Sequence, residues 1–312
     1  MIISASRRTD IPAFYSDWFI NRLKDGYALI KNPRNPNRSS RVMINSDVVD
    51  CIVFWTKNAK PMLSKLNTID AMDYKYYFQF TITPYDKKIE KGLPPKQEIM
   101  ETFKRLSDKI GSHRAVWRYD PVIVSKEFSV QYHLDTYGKM ADVLGDYTDR
   151  CIFSFIDLYA KVRESTKGIV DYEVNELNMK RVAEGFSRIA KTHQYTLSTC
   201  SEEIDLSAYG ITHASCIDKG IVEKIIGFPI NAKKDANQRL ACGCIESVDI
   251  GSYDCCSHGC IYCYATTSQN TVINNMRKHN KNSSILIGEP SREDKVTNRD
   301  AKSFKTAQIS LF

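Results

Sequence analysis

Six short runs rich in β-branched and aromatic residues punctuate the chain, at 2–6, 51–56, 76–83, 114–119, 151–156 and 195–200. Each ends in a polar or turn-prone segment, which is the pattern of a strand and its exit loop. Between them lie amphipathic stretches at 17–24, 96–110, 130–144 and 176–191. In the last, Met179, Val182, Phe186 and Ile189 recur at three- and four-residue steps and so share one helical face. Strands alternating with helices predict a parallel sheet with right-handed crossovers. Repeats of roughly 35–45 residues with no second strand-rich block favour an α/β fold of the curved kind, a partial (β/α)6 TIM-like barrel over residues 1–240. A doubly wound open sheet is the rival, although no Gly-rich fingerprint follows the first strand.

The strand exits are polar one after another. Ser6, Arg7, Arg8, Thr9 and Asp10 follow the first run; Thr56, Lys57 and Asn58 close the second; Thr81, Thr83 and Asp86 follow the third. Arg118, Tyr119 and Asp120 belong to the fourth, Asp157 and Tyr159 to the fifth, and Ser198, Thr199, Cys200, Ser201 and Glu202 to the sixth. In a parallel barrel these exits share one rim, where active sites are built. Loops are polar anyway, so one residue alone says little, but repetition at every exit favours a site. Arg118 and Asp120 are candidate catalytic contacts, or else an ion pair that anchors the sheet. Arg7 and Arg8 are candidates to clamp a phosphate or carboxylate bidentately, or else hold the sheet edge against the C-terminal extension.

Composition changes this picture little. The 312 residues are 42% hydrophobic and 26% charged, as expected of one large or two smaller globular domains. No apolar run approaches the ~20 residues needed to span a bilayer, and the N-terminus lacks the form of a leader. A cytoplasmic protein without membrane contact is expected. The net charge of +7 suits nucleic acid, a phosphorylated substrate, or scattered surface lysines. After about residue 265 the chain turns rich in Asn, Ser, Thr and Lys. Residues 266–312 are expected to be a solvated extension docked on the barrel through 285–287 and 309–312.

The cysteines change it most. Cys51 and Cys151 stand alone in apolar runs and are expected in the core, whereas the other eight of the ten fall between Cys200 and Cys263. In a reducing compartment such clustering points to metal. Cys256-Ser-His-Gly-Cys260-Ile-Tyr-Cys263 has the spacing C-x3-C-x2-C, within a cysteine-rich segment over 241–265. Three thiolates on one tight loop can bind three corners of a cubane cluster and leave the fourth iron open. Gly259 lets the loop pass close to the inorganic core. Zinc accepts thiolates as well, and His258 could then replace one ligand. Cys200, Cys216, Cys242 and Cys244 would suffice for a second tetrahedral metal site or a second iron–sulfur cluster; the bland alternative is ordinary small buried residues. Cys255 is expected to be a bystander.

The C-x3-C-x2-C loop, with Tyr262 just before its last cysteine, resembles the signature of radical S-adenosylmethionine enzymes. That resemblance implies a 4Fe–4S cluster on Cys256, Cys260 and Cys263. The methionyl amine and carboxylate of S-adenosylmethionine would chelate its fourth iron, with Tyr262 near the adenine. It implies an external electron donor such as flavodoxin or ferredoxin. A carbon–sulfur bond would be cleaved and a carbon-centred radical released onto a substrate over the rim. Thr56, Lys57 and Asn58 occupy the place of the superfamily's glycine-rich cofactor contact, and Gln79 and Thr81 are further cofactor-binding candidates. The motif normally follows the first strand, whereas here it comes last. The chain as a whole is similar to a family of uncharacterised function that carries such a C-terminal cluster. The likeness rests on Ser6–Tyr15, Phe54–Asn58, Gln79–Pro84, Trp117–Pro121, Ser154–Tyr159 and Asp249–Asp254. Strands three and four are also similar to those of spore photoproduct lyase, so nucleic acid stands among the candidate substrates. Two other readings remain open: an iron–sulfur electron carrier, and a zinc-bearing nucleic-acid-binding protein.

Overall fold

A computed structural model describes residues 1–306. Its strands are β1 (Ile2–Ala5), β2 (Tyr27–Asn32), β3 (Asn35–Met43), β4 (Cys51–Thr56), β5 (Tyr76–Thr81), β6 (Ala115–Val122), β7 (Arg150–Phe155), β8 (Thr196–Cys200), β9 (Thr212–Ala214), β10 (Val248–Asp249) and β11 (Lys295–Asn298). All six expected strands are present, shifted at their ends by up to three residues. Eight strands form one sheet in the order β10-β1-β4-β5-β6-β7-β8-β9, each pair parallel. The sheet is therefore two strands wider than expected, with β9 and β10 as its edges. No pairing joins these edges among the described residues.

From β1 to β9 the order advances without reversal, unlike the doubly wound rival, whose order switches direction. Alternate residues of a strand point to opposite faces, and here the two faces differ. Ile3, Ile52, Phe54, Tyr76, Phe78, Trp117 and Phe153 face the large core, under helices Lys96–Ile110, Val130–Leu144 and Glu176–Thr192. Each helix buries one stripe, such as Ile99, Phe103, Leu106 and Ile110 on the first. Side chains cap the other two: Ser129 accepts from Tyr132 N at 3.1 Å, and Asn175 from Asn178 N at 2.9 Å. On the opposite face Ile2, Cys51, Val53, Tyr77, Val116 and Ile152 form a smaller core with helix Lys219–Ile226 and residues 242–245. The strand exits above that smaller core are polar.

The C-terminal region is more ordered than expected. Ser268 caps helix Gln269–Arg277, and β11 pairs with β3, which forms a hairpin with β2. Ile285 and Leu286 are buried, with Ile285 bridged to Leu29. The docking expected at 285–287 is therefore present, whereas 309–312 lies outside the described residues. No described helix is long and apolar enough to cross a membrane.

Candidate metal centre

The cysteine hairpin leaves β10, and β10 is held to β1 by one carboxylate. Asp249 accepts from Ser4 Oγ at 2.9 Å, Ser6 Oγ at 2.6 Å and Arg7 N at 2.8 Å. A side chain at Gly251 would put its Cβ 2.0 Å from Ser6 Oγ, so only glycine lets the chain cross here. Asp254 N then donates to Ala265 O at 2.9 Å and closes the base of the loop that carries Cys256, Cys260 and Cys263. All three cysteines are partly exposed.

The loop rests on the segment after β5. Cys260 bridges Glu90, Ile261 N donates to Ile89 O at 3.0 Å, and Gly92 N donates to His258 O at 2.7 Å. A Cβ on Gly92 would lie 2.4 Å from Ser257 O. Beneath the loop, His258 Nε2 meets Asp10 Oδ2 at 2.7 Å, and the same oxygen accepts from Lys57 N at 2.7 Å. One ring nitrogen is thereby engaged, while the buried Nδ1 has no partner among the described residues; a carboxylate on the far nitrogen is how a metal-ligating histidine is oriented, so His258 stays a candidate ligand.

Glu90 is the hub. It is 1% exposed, receives Lys57 Nζ and Thr83 Oγ1 at 2.8 and 2.9 Å, and is also bonded by Lys96 and the Tyr262 hydroxyl. Lys57 Nζ donates to Tyr262 OH at 2.8 Å as well. Burial alone would raise the Glu90 carboxyl, but the charges of Lys57 and Lys96 outweigh it and hold the group at about 2. The thiols go the other way: burial pushes Cys260 up to about 12 against the opposing Lys57 charge, and pushes Cys256 well above its ordinary range. Without metal they stay protonated; a bound cation would reverse this and displace their protons.

Beside the hairpin, the polar face of the sheet centres on Trp55. The Arg7 and Arg118 guanidiniums stand 5.0 and 5.5 Å from its ring centre. Arg118 pairs with Asp120, whose other oxygen is bonded by Ser154. Burial would raise the Asp120 carboxyl, yet the Arg118 charge keeps it below its ordinary value. Gln79 Nε2 donates to Cys216 O at 2.8 Å. Trp55 Nε1 and Arg7 Nη2 are buried donors without partners among the described residues.

A family model described as a domain of unknown function, DUF1848, matches residues 2–265. The chain belongs to that family. No curated protein matches it. A Bacteroides thetaiotaomicron VPI-5482 crystal structure, described as a candidate alpha-L-fucosidase, is similar over 57% of this chain and 84% of that one. Identity is 11% and the TM-score 0.28, too low to bear on fold or activity.

Within this DUF1848 chain the expected site residues divide. Lys57, Tyr262 and the hairpin cysteines come together; Gln79, Arg118, Asp120 and Arg7 share the polar face. Arg8 does not join Arg7 in a clamp, because it stacks on Tyr253 at 5.0 Å. Thr56 and Asn58 are engaged in their own turn, accepting from Asn58 N at 2.9 Å and Lys60 N at 3.1 Å. Thr81 lies on the polar face without a side-chain hydrogen bond. Tyr119 points to the helix side, where its hydroxyl meets His133 Nδ1 at 2.9 Å, so it leaves the rim. Cys51 and Cys151 are core residues as expected, and Cys255 is buried against Thr9. Cys200 and Cys216 lie with sulfurs 2.9 Å apart, and Cys244 and Cys242 continue the row. Among the described residues, no three His, Cys, Asp or Glu side chains already stand as a ready-made metal site; in either cysteine group the thiols would have to turn toward a common centre. Glu90 and Lys96 were not anticipated, because a lone glutamate in Lys-Lys-Ile-Glu-Lys-Gly reads as a solvated turn. Its apolar neighbours Ile89 and Leu93 were the available signal.

Proposed function

We propose that this chain is a radical S-adenosylmethionine enzyme, built on a sheet that curls as a partial barrel. The observation that carries the reading is the place of β10. It pairs parallel with β1 at the sheet edge, so a hairpin that comes late in sequence emerges beside the exits of β1, β4 and β5. In space, though not in sequence, the cysteine loop follows the first strand of the sheet.

The donor set suits the group. Cys256, Cys260 and Cys263 offer three soft thiolates from one loop, and a 4Fe–4S cluster held so keeps one iron for a small ligand. When bound, such a cluster supplies one electron from an external donor to the sulfonium of the cofactor, whose carbon–sulfur bond then breaks. The chain's own residues do the rest. Lys57 and Glu90 fix the Tyr262 ring against the loop. Trp55 offers a flat surface and an unpartnered N–H on the polar face. Arg118, locked by Asp120, presents fixed positive charge toward a substrate there. A face lined this way binds, orients and excludes water around a reactive species.

The test is anaerobic purification with iron and sulfide analysis, followed by dithionite and S-adenosylmethionine. The expected result is hairpin-dependent iron and formation of 5′-deoxyadenosine. Iron with no cofactor cleavage under strong reduction overturns the enzyme reading in favour of an electron carrier. Zinc without iron points instead to the nucleic-acid-binding alternative.

A further inference from the structure

We propose that Cys200, Cys216, Cys242 and Cys244 form a second metal centre, a four-thiolate site for a tetrahedral thiophilic metal, either zinc or an iron–sulfur cluster. Three separate stretches of chain deliver these residues. Cys200 ends β8, Cys216 follows β9, and Cys242 and Cys244 lie in the loop that leads to β10. Cys200 Sγ lies 2.9 Å from Cys216 Sγ, and Cys244 neighbours both Cys216 and Cys242. Two ligands of one tetrahedral zinc lie about 3.8 Å apart, given Zn–S bonds of ~2.3 Å. For a single metal the first pair therefore has to open by about an ångström, and for a cluster by more.

The backbone around the four is already fixed as a ligand cage needs. The Cys216 carbonyl accepts from both Tyr77 OH and Gln79 Nε2 at 2.8 Å. Ile217 N donates to Cys244 Sγ at 3.3 Å, a peptide N–H on sulfur of the kind that supports thiolate ligands. Ile245 N donates to Ile217 O at 3.1 Å and Ser215 Oγ to Gly243 O at 2.8 Å, tying the two cysteine segments together. Gly243 lets the Cys-Gly-Cys step pass close to Ser215: a Cβ there would lie 2.5 Å from Ser215 Oγ and displace that hydroxyl.

Charge favours an anionic centre. Arg118 Nη1 donates to Cys216 Sγ at 2.9 Å, and the buried Arg7 Nη2 has no protein partner. Arg118 is also paired with Asp120, but Arg7 forms no ion pair among the described residues. Four thiolates on a divalent ion carry net negative charge, which the two guanidiniums oppose.

The inference stands apart from the radical-enzyme reading, because it concerns different ligands. The full chain is purified anaerobically in three forms: unaltered, C256A/C260A/C263A, and C200S/C216S. Zinc, iron and acid-labile sulfide are then measured per chain. The hairpin variant is expected to keep either one zinc, or iron and sulfide in equal amounts, while C200S/C216S loses that complement and keeps the hairpin's iron. Loss of all metal from the hairpin variant overturns the inference, as does a C200S/C216S chain with its full metal content. If C200S/C216S does not fold, alkylation of the unaltered chain decides, read cysteine by cysteine in mass spectrometry with and without chelator. Cys242 and Cys244 are expected to react at least tenfold faster after chelation, and equal rates overturn the proposal. Iron missing from the hairpin alone would defeat the enzyme reading and leave this one intact.

Discussion

The hairpin at 256–263 and the four-cysteine group, if both hold metal as proposed, would do so in opposite ways. In the hairpin the thiols are neighbours in sequence, and the fold's work is to clamp one flexible loop from outside, through Glu90, Gly92 and Asp10. In the other group the thiols are strangers in sequence, and the clamp is the sheet itself, through Tyr77, Gln79 and Arg118. The hairpin is partly exposed; in the other group only Cys200 is. A loop of the first kind can meet a cofactor. A centre of the second kind is sealed into the body of the protein, and its loss is expected to loosen β8, β9 and β10 together.

The largest test of this contrast is Glu90→Gln. It leaves Lys57 and Lys96 largely buried without their anion, which costs about 3–5 kcal/mol when one partner of a buried pair is removed. Denaturant unfolding should register the loss, and hairpin iron should fall while metal at the four-cysteine group stays. Equal loss at both would erase the distinction.

Acid offers the next test. The folded Glu90 carboxyl sits at about 2 against an ordinary 4.5, so its contribution, about 3 kcal/mol, is full above pH 4.5 and is lost as pH falls toward 2. His133 acts in a different window. Burial holds it at about 4 against an ordinary 6.5, so the unfolded chain binds more protons between those values and stability declines as pH drops from 6.5 to 4. Unfolding free energy measured against pH should show both declines, and Glu90→Gln should remove only the one below 4.5.

Gly92→Ala is a smaller change with a local reading. The added methyl meets Ser257 O at 2.4 Å, and overpacking of this kind costs about 1–3 kcal/mol. The hairpin's iron affinity should drop, with the other cysteines still protected from alkylation. Tyr262→Phe is the mildest. It removes one hydroxyl from the Lys57–Glu90 network and should cost about 0.5–1.5 kcal/mol in thermal or denaturant unfolding. A loss above the Glu90→Gln value would mean that Tyr262, and not Glu90, holds the loop.

Much of the frame was legible in the sequence, because its central strands are continuous apolar runs and its helices carry single stripes. Phe54 and Phe78 could be assigned from pattern alone. The β2–β3 hairpin was not, since Asn32-Pro33-Arg34-Asn35-Pro36 interrupts it and its residues are half polar. Nor was β10, a strand of two residues whose role comes from Asp249 reaching back to Ser4 and Ser6. The hairpin cysteines were legible by spacing. The proximity of Cys200 to Cys216 was open only as a guess from composition, because no local pattern records a contact that the sheet makes. Lys57 was marked as a strand-exit residue, yet its partner Glu90 lies 33 residues on, in a loop whose charges look like surface.

Because β10 supplies the outer neighbour of β1, that edge of the sheet waits for its cover until residues 248–249 have been made. The 192 residues from Thr56, the end of β4, to Val248, the start of β10, take roughly 10–38 s to emerge at ~5–20 residues per second. During that interval the nascent chain holds a bare edge strand, a template for pairing with other chains. The ribosome thus delivers the sheet from β1 to β9 before the hairpin thiols.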